Sequence, residues 1–311
     1  MTSVLYVVLC LSAAVFAVAT AVRAAWYARA PLHLRWEIYP VPHEPPERAA
    51  HGGSYFEQSA WWSKPARTNH RGTAKAFLSE ALFLKALREF NAPLWRRSYP
   101  FHAGLYLLIA TAALVLAAAL GTLAAPSSIA GPAGLVLRAC YRATGIAGLF
   151  LAPVGAGALL HRRLTDPDLR AATVPGDIFN LAAFVVALGI LGAGYALRPA
   201  GAPGLLTLVI GLLQWDTRVA VPGLLATGLL LSALLAAYIP FTHMSHFVGK
   251  YFTYHAVRWD DAVARPGGAI EKRMAAYLAY RPTWAAPHVA ADGSRTWADI
   301  AAGRPPDNVK R

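Results

Sequence analysis

The chain has 311 residues, of which 56% are hydrophobic and only 14% are charged, and its formal net charge is +13. Its apolar residues occur in long blocks instead of recurring at a helical or strand period, which excludes an ordinary water-soluble domain. Its two cysteines are too few for a disulfide framework, and they form neither a CxxC nor a CxxCH motif.

Five apolar blocks are long enough to cross a bilayer, whose ~30 Å hydrocarbon layer needs about 20 helical residues. These blocks cover about 4–22, 103–125, 144–160, 178–197 and 221–241. None of them alternates between apolar and polar residues as the strands of a membrane β-barrel do. The sequence therefore predicts an all-α integral membrane protein built as a five-helix bundle.

The first span, within residues 1–29, does not have the pattern of a cleaved signal peptide. It lacks a basic segment before its apolar run, and its positive charges Arg23, Arg29 and Arg35 follow that run. We therefore expect a retained helix whose N-terminus lies outside.

Residues 30–100 are predicted to form a long cytoplasmic loop that contains one amphipathic helix at 73–90 (TAKAFLSEALFLKALREF). Phe77, Ala81, Leu84 and Leu87 recur at helical spacing and share one face. Other apolar side chains lie off this face, so the helix is expected either to lie on the membrane or to pack against a partner protein.

The other four spans form a predicted membrane region at 101–249, followed by a cytoplasmic tail at 250–311. Between the fourth and fifth spans, 204–215 is apolar but too short to cross the bilayer, so we expect an interfacial helix anchored by Trp215. The tail has no apolar block that would form its own core, yet it is rich in aromatic residues. It is expected to order by docking against another protein. These aromatic residues are Tyr277, Tyr280, Trp284 and Trp297.

The distribution of charge predicts the orientation. If the N-terminus is outside, 25 of the 29 Lys and Arg residues lie in the inner segments 23–100, 161–177 and 242–311. The positive net charge is therefore explained by the topology and by attraction to anionic lipid, and nucleic-acid binding is not expected. The four outer basic residues are Arg138, Arg142, Arg198 and Arg218.

Histidines at the ends of the spans are the chemistry-bearing residues, because an imidazole inside a membrane bundle is costly and usually functional. His102 opens the second span, while His243 and His246 close the fifth, so alternating spans bring them to the same side. Two imidazoles at matching depth on facing helices suit a six-coordinate haem. The alternative is a set of interfacial histidines bound to backbone or lipid headgroups.

Basic residues lie near the same membrane surface and would pair with anionic haem propionates. The alternative is that they are ordinary inner-side charges. They are Arg96, Arg97, Arg163 and Lys250.

Three pieces of the chain occur in a familiar order: FHAG at 101–104, RRLTDPDLRAAT at 162–173 before Asp177, and PFTHMSH at 240–246. With their spacing and topology, they resemble the cytochrome b (gamma) subunit of respiratory nitrate reductases. The resemblance extends over about 98–250. The loop piece PLHLRWEIYPVPHE at 31–44 and the tail piece RPTWAAPH at 281–288 are more similar to relatives paired with heterodisulfide-reductase-like iron–sulfur subunits.

The resemblance implies a haem b held between the second and fifth spans, with His102 and His246 as axial ligands and His243 as the rival to His246. The family carries a second, outer haem, but Ala112 and Gly228 stand near its two ligand positions. We therefore expect a single haem b near the inner side.

Other residues near the spans are weaker candidates for a quinone site. His161 is expected to be a headgroup or propionate contact, with a quinone role as the alternative. Tyr141 and Arg142 lie at the outer end of the third span, where interface anchoring competes with quinone binding.

Together these expectations describe an electron-transfer subunit in a bacterial or archaeal cytoplasmic membrane. It would exchange electrons between membrane quinone and a cytoplasmic iron–sulfur partner, with a heterodisulfide-reductase-like protein favoured over a molybdenum nitrate reductase. No soluble catalytic motif stands out, so the chain is not expected to be catalytic alone. The alternative is a haem-free anchor or assembly subunit of a respiratory complex.

Overall fold

The computed structural model describes residues 2–30, 41–49, 54–65, 69–129, 131–284 and 293–303, and within these ranges it is all-helical without a strand. The parts of the resemblance at 31–40 and 285–288 lie outside these ranges. The chain divides into two units. The first consists of Met1–Ala21 with Phe77–Ser245, and the second of Val22–Ala76 with His246–Arg311.

The α-helices follow one another with short connections. In chain order they are α1 (Thr2–Ala28), α2 (Pro46–Ala49), α3 (His70–Phe83), α4 (Lys85–Phe90), α5 (Ala92–Ala124), α6 (Pro132–Thr165), α7 (Pro167–Ala171), α8 (Pro175–Ala196), α9 (Leu205–Gln214), α10 (Gly223–Tyr238), α11 (His246–Phe252), α12 (Ala269–Leu278) and α13 (Trp297–Ala301).

The five predicted spans are confirmed as helices long and apolar enough to cross a membrane. They are α1, α5, α6, α8 and α10, the last continued by a 3₁₀ turn to Phe241. Because α5 has 33 residues and α6 has 34, each is about 50 Å long and exceeds the ~30 Å hydrocarbon layer. Both helices therefore extend beyond the apolar blocks that predicted them.

Helix α5 begins at Ala92, within the segment predicted as the cytoplasmic loop. The Asn91 side chain accepts a hydrogen bond from the Leu94 N–H, which satisfies one of the first N–H groups of the helix. Pro93 lies in the first turn, where its missing N–H costs nothing. Arg96 and Arg97 are therefore helical residues at the start of the second span.

In the first unit the spans pack in chain order: α5 against α6, α6 against α8, and α8 against α10. The helices approach closely where a glycine replaces a side chain. A Cβ added to Gly104 of α5 would lie 2.3 Å from the Ala152 backbone nitrogen of α6. Small residues allow such contact because lipid gives helices no hydrophobic reason to associate, so close packing must do so.

The start of α1 packs against the region around α9 and α10. Leu5 and Tyr6 are buried in a cluster with Leu208 and Leu225, and the Thr2 hydroxyl donates to the Val219 carbonyl at 3.0 Å. The short helix predicted at 204–215 is thus present as α9. Its buried Leu208 shows that α9 packs against protein on one side.

The predicted helix at 73–90 is not continuous, which corrects that expectation. Leu84 adopts a left-handed conformation with φ 51° and separates α3 from α4. Phe77 and Ala81 lie on α3, whereas Leu87 lies on α4, so the four residues do not share one helix face.

In the second unit, part of the tail packs against the loop of the same chain. The Tyr55 hydroxyl donates to the Asp261 carboxylate at 2.5 Å, across 206 residues of sequence, and His43 lies 3.3 Å from the same oxygen. The tail's Trp284 and Trp297 rings meet edge-on at 6.0 Å. The tail was expected to order against another protein, yet these described residues find partners within the chain.

Candidate functional site

His102 lies on α5, ten residues after the helix begins. Its Nδ1 is 2.8 Å from the Ser98 carbonyl and 3.3 Å from the Ser98 hydroxyl. A carbonyl only accepts, so Nδ1 carries the proton in this contact. In the neutral ring the lone pair then lies on Nε2, the nitrogen that a haem iron would bind.

The His102 ring lies among aromatic side chains. Phe101 is buried, meets the His102 ring edge-on at 5.3 Å and packs against Phe184 of α8 at 4.9 Å. Tyr106, one turn further along α5, lies 6.4 Å from the His102 ring. Packing and the bond to Ser98 together fix both the tautomer and the surroundings of this imidazole.

His243 and His246 follow the fifth span instead of lying within it. Thr242 is extended and ends the 3₁₀ continuation of α10. His243 then belongs to a separate 3₁₀ turn, His243–Ser245, and His246 is the first residue of α11. His102 and His243 belong to the first unit, and His246 belongs to the second. The only one of the two candidate second ligands that shares a unit with His102 is therefore His243, the rival to His246.

A polar cluster forms in the first unit where α6 ends, α8 begins and a 3₁₀ turn follows α10. The Arg163 guanidinium donates to the Asp177 carboxylate at 3.0 Å and to the Thr173 hydroxyl at 3.3 Å. His243 Nε2 lies 3.9 Å from the other Asp177 oxygen. Arg163, predicted as a propionate contact, therefore has a carboxylate partner in the chain itself.

The other predicted propionate contacts lie at two places. Arg96 is exposed on α5, and Arg97 donates to the Pro93 carbonyl at 2.8 Å, one turn back on the same helix. Lys250 lies on α11 in the second unit. A guanidinium has five donors, so the single bond to Pro93 leaves Arg97 able to pair with an anion as well.

The two positions of the missing outer ligands differ in their surroundings. Ala112 is exposed on α5. Gly228 is buried on α10, where an added Cβ would lie 2.4 Å from the Leu191 Cα of α8. A histidine at Gly228 would collide with the α8 backbone, so this position serves helix packing.

The weaker quinone candidates also separate by burial. Tyr141 is buried between α5 and α6 with Val115 and Ala118, as a core residue would be. Arg142 and His161 are exposed. None of the three is brought beside His102 by a contact within the described residues.

One contact near the candidate ligands has a signal in the sequence, and the pairing of loop with tail has none. Ser98 stands four residues before His102, the spacing at which a helical imidazole reaches a backbone carbonyl, and this could have been anticipated. The pairing of His43 and Tyr55 with Asp261 had no such signal, because the partners are far apart along the chain. Over the described ranges, no three His, Cys, Asp or Glu side chains are grouped to hold a metal ion, and a bis-histidine haem needs only two ligands.

No protein-family model, curated protein or solved structure matches this chain.

Proposed function

We propose that this protein is the membrane cytochrome b subunit of a respiratory complex. It binds one haem b through His102 and His246 and passes electrons between membrane quinone and a cytoplasmic iron–sulfur partner. The observation that carries the proposal is His102 at the start of a membrane span, with its Nδ1 proton held by the Ser98 carbonyl.

A neutral imidazole with a defined tautomer is what haem ligation requires of a protein. The bond from Nδ1 to a backbone carbonyl orients the ring and makes Nε2 a better electron donor. His102 therefore fits one axial position. When bound, the haem supplies one-electron transfer, while the chain supplies the ligands, their orientation and an apolar surround.

The local contacts support His246 over His243 as the second ligand. His243 Nε2 is the nitrogen nearest Asp177, at 3.9 Å. A carboxylate accepts from an N–H, so this contact favours the tautomer that carries its proton on Nε2 and leaves no lone pair there for iron. The resemblance points to His246 for an independent reason, the spacing from Pro240.

The ion pair between Arg163 and Asp177 also reduces the number of basic side chains available to pair with the haem propionates. Because Arg163 is paired with Asp177, we assign the propionates to Arg96, Arg97 and Lys250. The packing of Gly228 against α8 supports a single haem, since the chain has no room for a ligand there.

The proposed orientation places the N-terminus outside and the loop and tail in the cytoplasm. The concentration of Lys and Arg in those segments supports it. A soluble iron–sulfur partner, with a heterodisulfide-reductase-like subunit favoured, would then meet the cytoplasmic segments.

The test is a reduced-minus-oxidised spectrum of the purified protein with pyridine haemochrome quantification. We expect about one haem b per chain, lost in His102→Ala and in His246→Ala but retained in His243→Ala. His161→Ala is the matched control, because it removes an exposed imidazole at the end of another span. Size-exclusion profiles in detergent distinguish loss of haem from loss of fold.

Each other outcome has a defined meaning. Loss of haem in His243→Ala instead of His246→Ala would exchange the second ligand. Two haems per chain would overturn the single-haem assignment. A wild type without a Soret band would replace the proposal by a haem-free membrane anchor of a respiratory complex.

The quinone part of the proposal has its own measurement. A reduced naphthoquinol added to the oxidised protein in lipid nanodiscs is expected to reduce the bound haem. If dithionite reduces the haem fully and the quinol does not, electron exchange with quinone is contradicted while haem binding stands.

A further inference from the structure

The two short helices before α5 form a corner that is bonded to α5. We call residues 77–90 the elbow: it comprises the second half of α3, the left-handed Leu84, and α4. The Tyr106 hydroxyl donates to the Ala81 carbonyl at 2.6 Å, and the Trp95 indole N–H donates to the Phe83 carbonyl at 2.9 Å. These carbonyls belong to the last turn of α3, where no helical N–H follows to bond them.

The two bonds set the level of the elbow along α5. Trp95 and Tyr106 are eleven residues apart, or about 16 Å along the helix axis. Tyr106 lies within the apolar block that begins at about 103, and Trp95 lies before it. Since both side chains reach the same corner, the elbow lies beside α5 at the level where its apolar surface begins, which is the bilayer interface.

At this level the elbow exposes a group of large apolar side chains. Leu78 and Leu82 are one turn apart and 51% and 41% exposed, Phe83 is 56% exposed, and Phe90 is 86% exposed. Exposed apolar side chains grouped in this way mark an interaction face.

The charged groups of the elbow are occupied locally. The Glu80 carboxylate accepts the Ala86 N–H at 2.7 Å, which caps the start of α4 across the break. Lys85 lies 3.7 Å from Glu89, and the Arg88 guanidinium lies over the Trp95 ring. Polar groups are therefore paired while the apolar side chains are left exposed, as suits an element that meets hydrocarbon.

We propose that the elbow is embedded in the bilayer interface, with Leu78, Leu82 and Phe83 in contact with acyl chains. The occupant is lipid because the elbow is bonded to Tyr106, and Ile109, three residues further along α5, is 67% exposed within a span. The break at Leu84 follows from this position, since it turns the chain along the membrane surface before it enters the bilayer as α5. The inference does not depend on haem binding.

Site-directed spin labelling of the full chain in phosphatidylethanolamine–phosphatidylglycerol nanodiscs tests the proposal. The native cysteines Cys10 and Cys140 are both exposed and are first replaced by serine. Nitroxides are then attached to Leu82→Cys and Phe83→Cys. Ile109→Cys is the lipid-facing reference, and Lys85→Cys is the matched polar control on the same elbow.

We expect collisions with oxygen to exceed collisions with a water-soluble nickel chelate at positions 82 and 83, as at 109, and the reverse at 85. A higher collision rate with the chelate at 82 and 83 would place the elbow in water and overturn the proposal. Shielding from both reagents would also overturn it, because the face would then be covered by protein. If Phe83→Cys does not yield folded protein, Leu78→Cys replaces it.

Discussion

At the scale of single residues, the structure adds partners to side chains that the sequence could only nominate. His102 was predicted as a ligand from its place at the start of a span, and its bond to the Ser98 carbonyl gives a physical reason for its tautomer. Arg163 was nominated from its position alone and is bonded to Asp177. Position along the chain predicts which membrane surface a residue is near, but it does not predict which side chain the residue pairs with.

Asp261 carries a prediction about pH. The His43 imidazole 3.3 Å away, followed by the hydrogen bond from the Tyr55 hydroxyl, lowers the pKa of this carboxyl. A lowered pKa means that Asp261 contributes stability above the ordinary aspartate range, about pH 4, and loses it as pH falls through the lower folded-state value. We expect hydrogen exchange in 41–49, 54–65 and 259–265 to increase as that range is crossed.

Substitution tests this at neutral pH. Asp261→Asn removes the charge without acid and is expected to increase exchange in the same segments. Asp260→Asn is the matched control, because burial raises the pKa of Asp260 and its charge is already disfavoured in the folded chain. Equal effects of the two substitutions would contradict a specific role for Asp261.

At the scale of elements, apolar blocks predicted the spans but not the helix ends or breaks. The stretch 92–100 contains Arg96, Arg97 and two prolines, and so resembles a loop in composition, yet the Asn91 cap begins α5 there. The elbow sequence contains no proline or glycine to announce a break. The carbonyls beside its break at Leu84 are bonded by Trp95 and Tyr106, contacts that no local pattern reveals.

Helix packing gives a prediction at this scale. Gly228→Ala places a Cβ 2.4 Å from the Leu191 Cα, so α8 and α10 must move apart. We expect a loss of about 1–3 kcal/mol, the usual cost of overpacking, measured as a lower thermal midpoint in detergent. Gly189→Ala on the exposed face of α8 meets nothing within 4 Å and is expected to leave the midpoint unchanged or slightly raised. A midpoint unchanged by Gly228→Ala would show that the helices separate there without cost.

At the scale of the whole molecule, an all-α membrane protein with five spans was predictable because hydrocarbon leaves a backbone few alternatives. The division into two units was not predictable, since it depends on loop and tail residues meeting across the sequence. For the candidate site, the sequence predicted which histidines and basic residues lie near the same membrane surface. The distances between these side chains could not be predicted, because the segment after α10 does not continue that helix.

Orientation is the whole-molecule property that charge predicts. The five spans found among the described residues would place the start of α1 and the tail segment after α11 on opposite sides of the membrane. In a bacterial host, we expect green fluorescent protein fused to the C-terminus to fluoresce and alkaline phosphatase fused after Gly201 to be active. An inactive phosphatase together with a non-fluorescent C-terminal fusion would show that the topology is the reverse of the predicted one.

The packing of α1 has a consequence for how the protein is made. Thr2 bonds to Val219 across 217 residues of sequence, and Leu5 and Tyr6 meet Leu208 and Leu225. Since synthesis runs from the N-terminus, α1 is made before these partners and waits for them until residues 205–225 have been translated. Helices α6, α8 and α10, by contrast, each pack against a span that is already inserted. A ribosome stalled before residue 205 would therefore leave α1 without these contacts. A membrane chaperone that holds α1 would be needed until its partners appear late in translation.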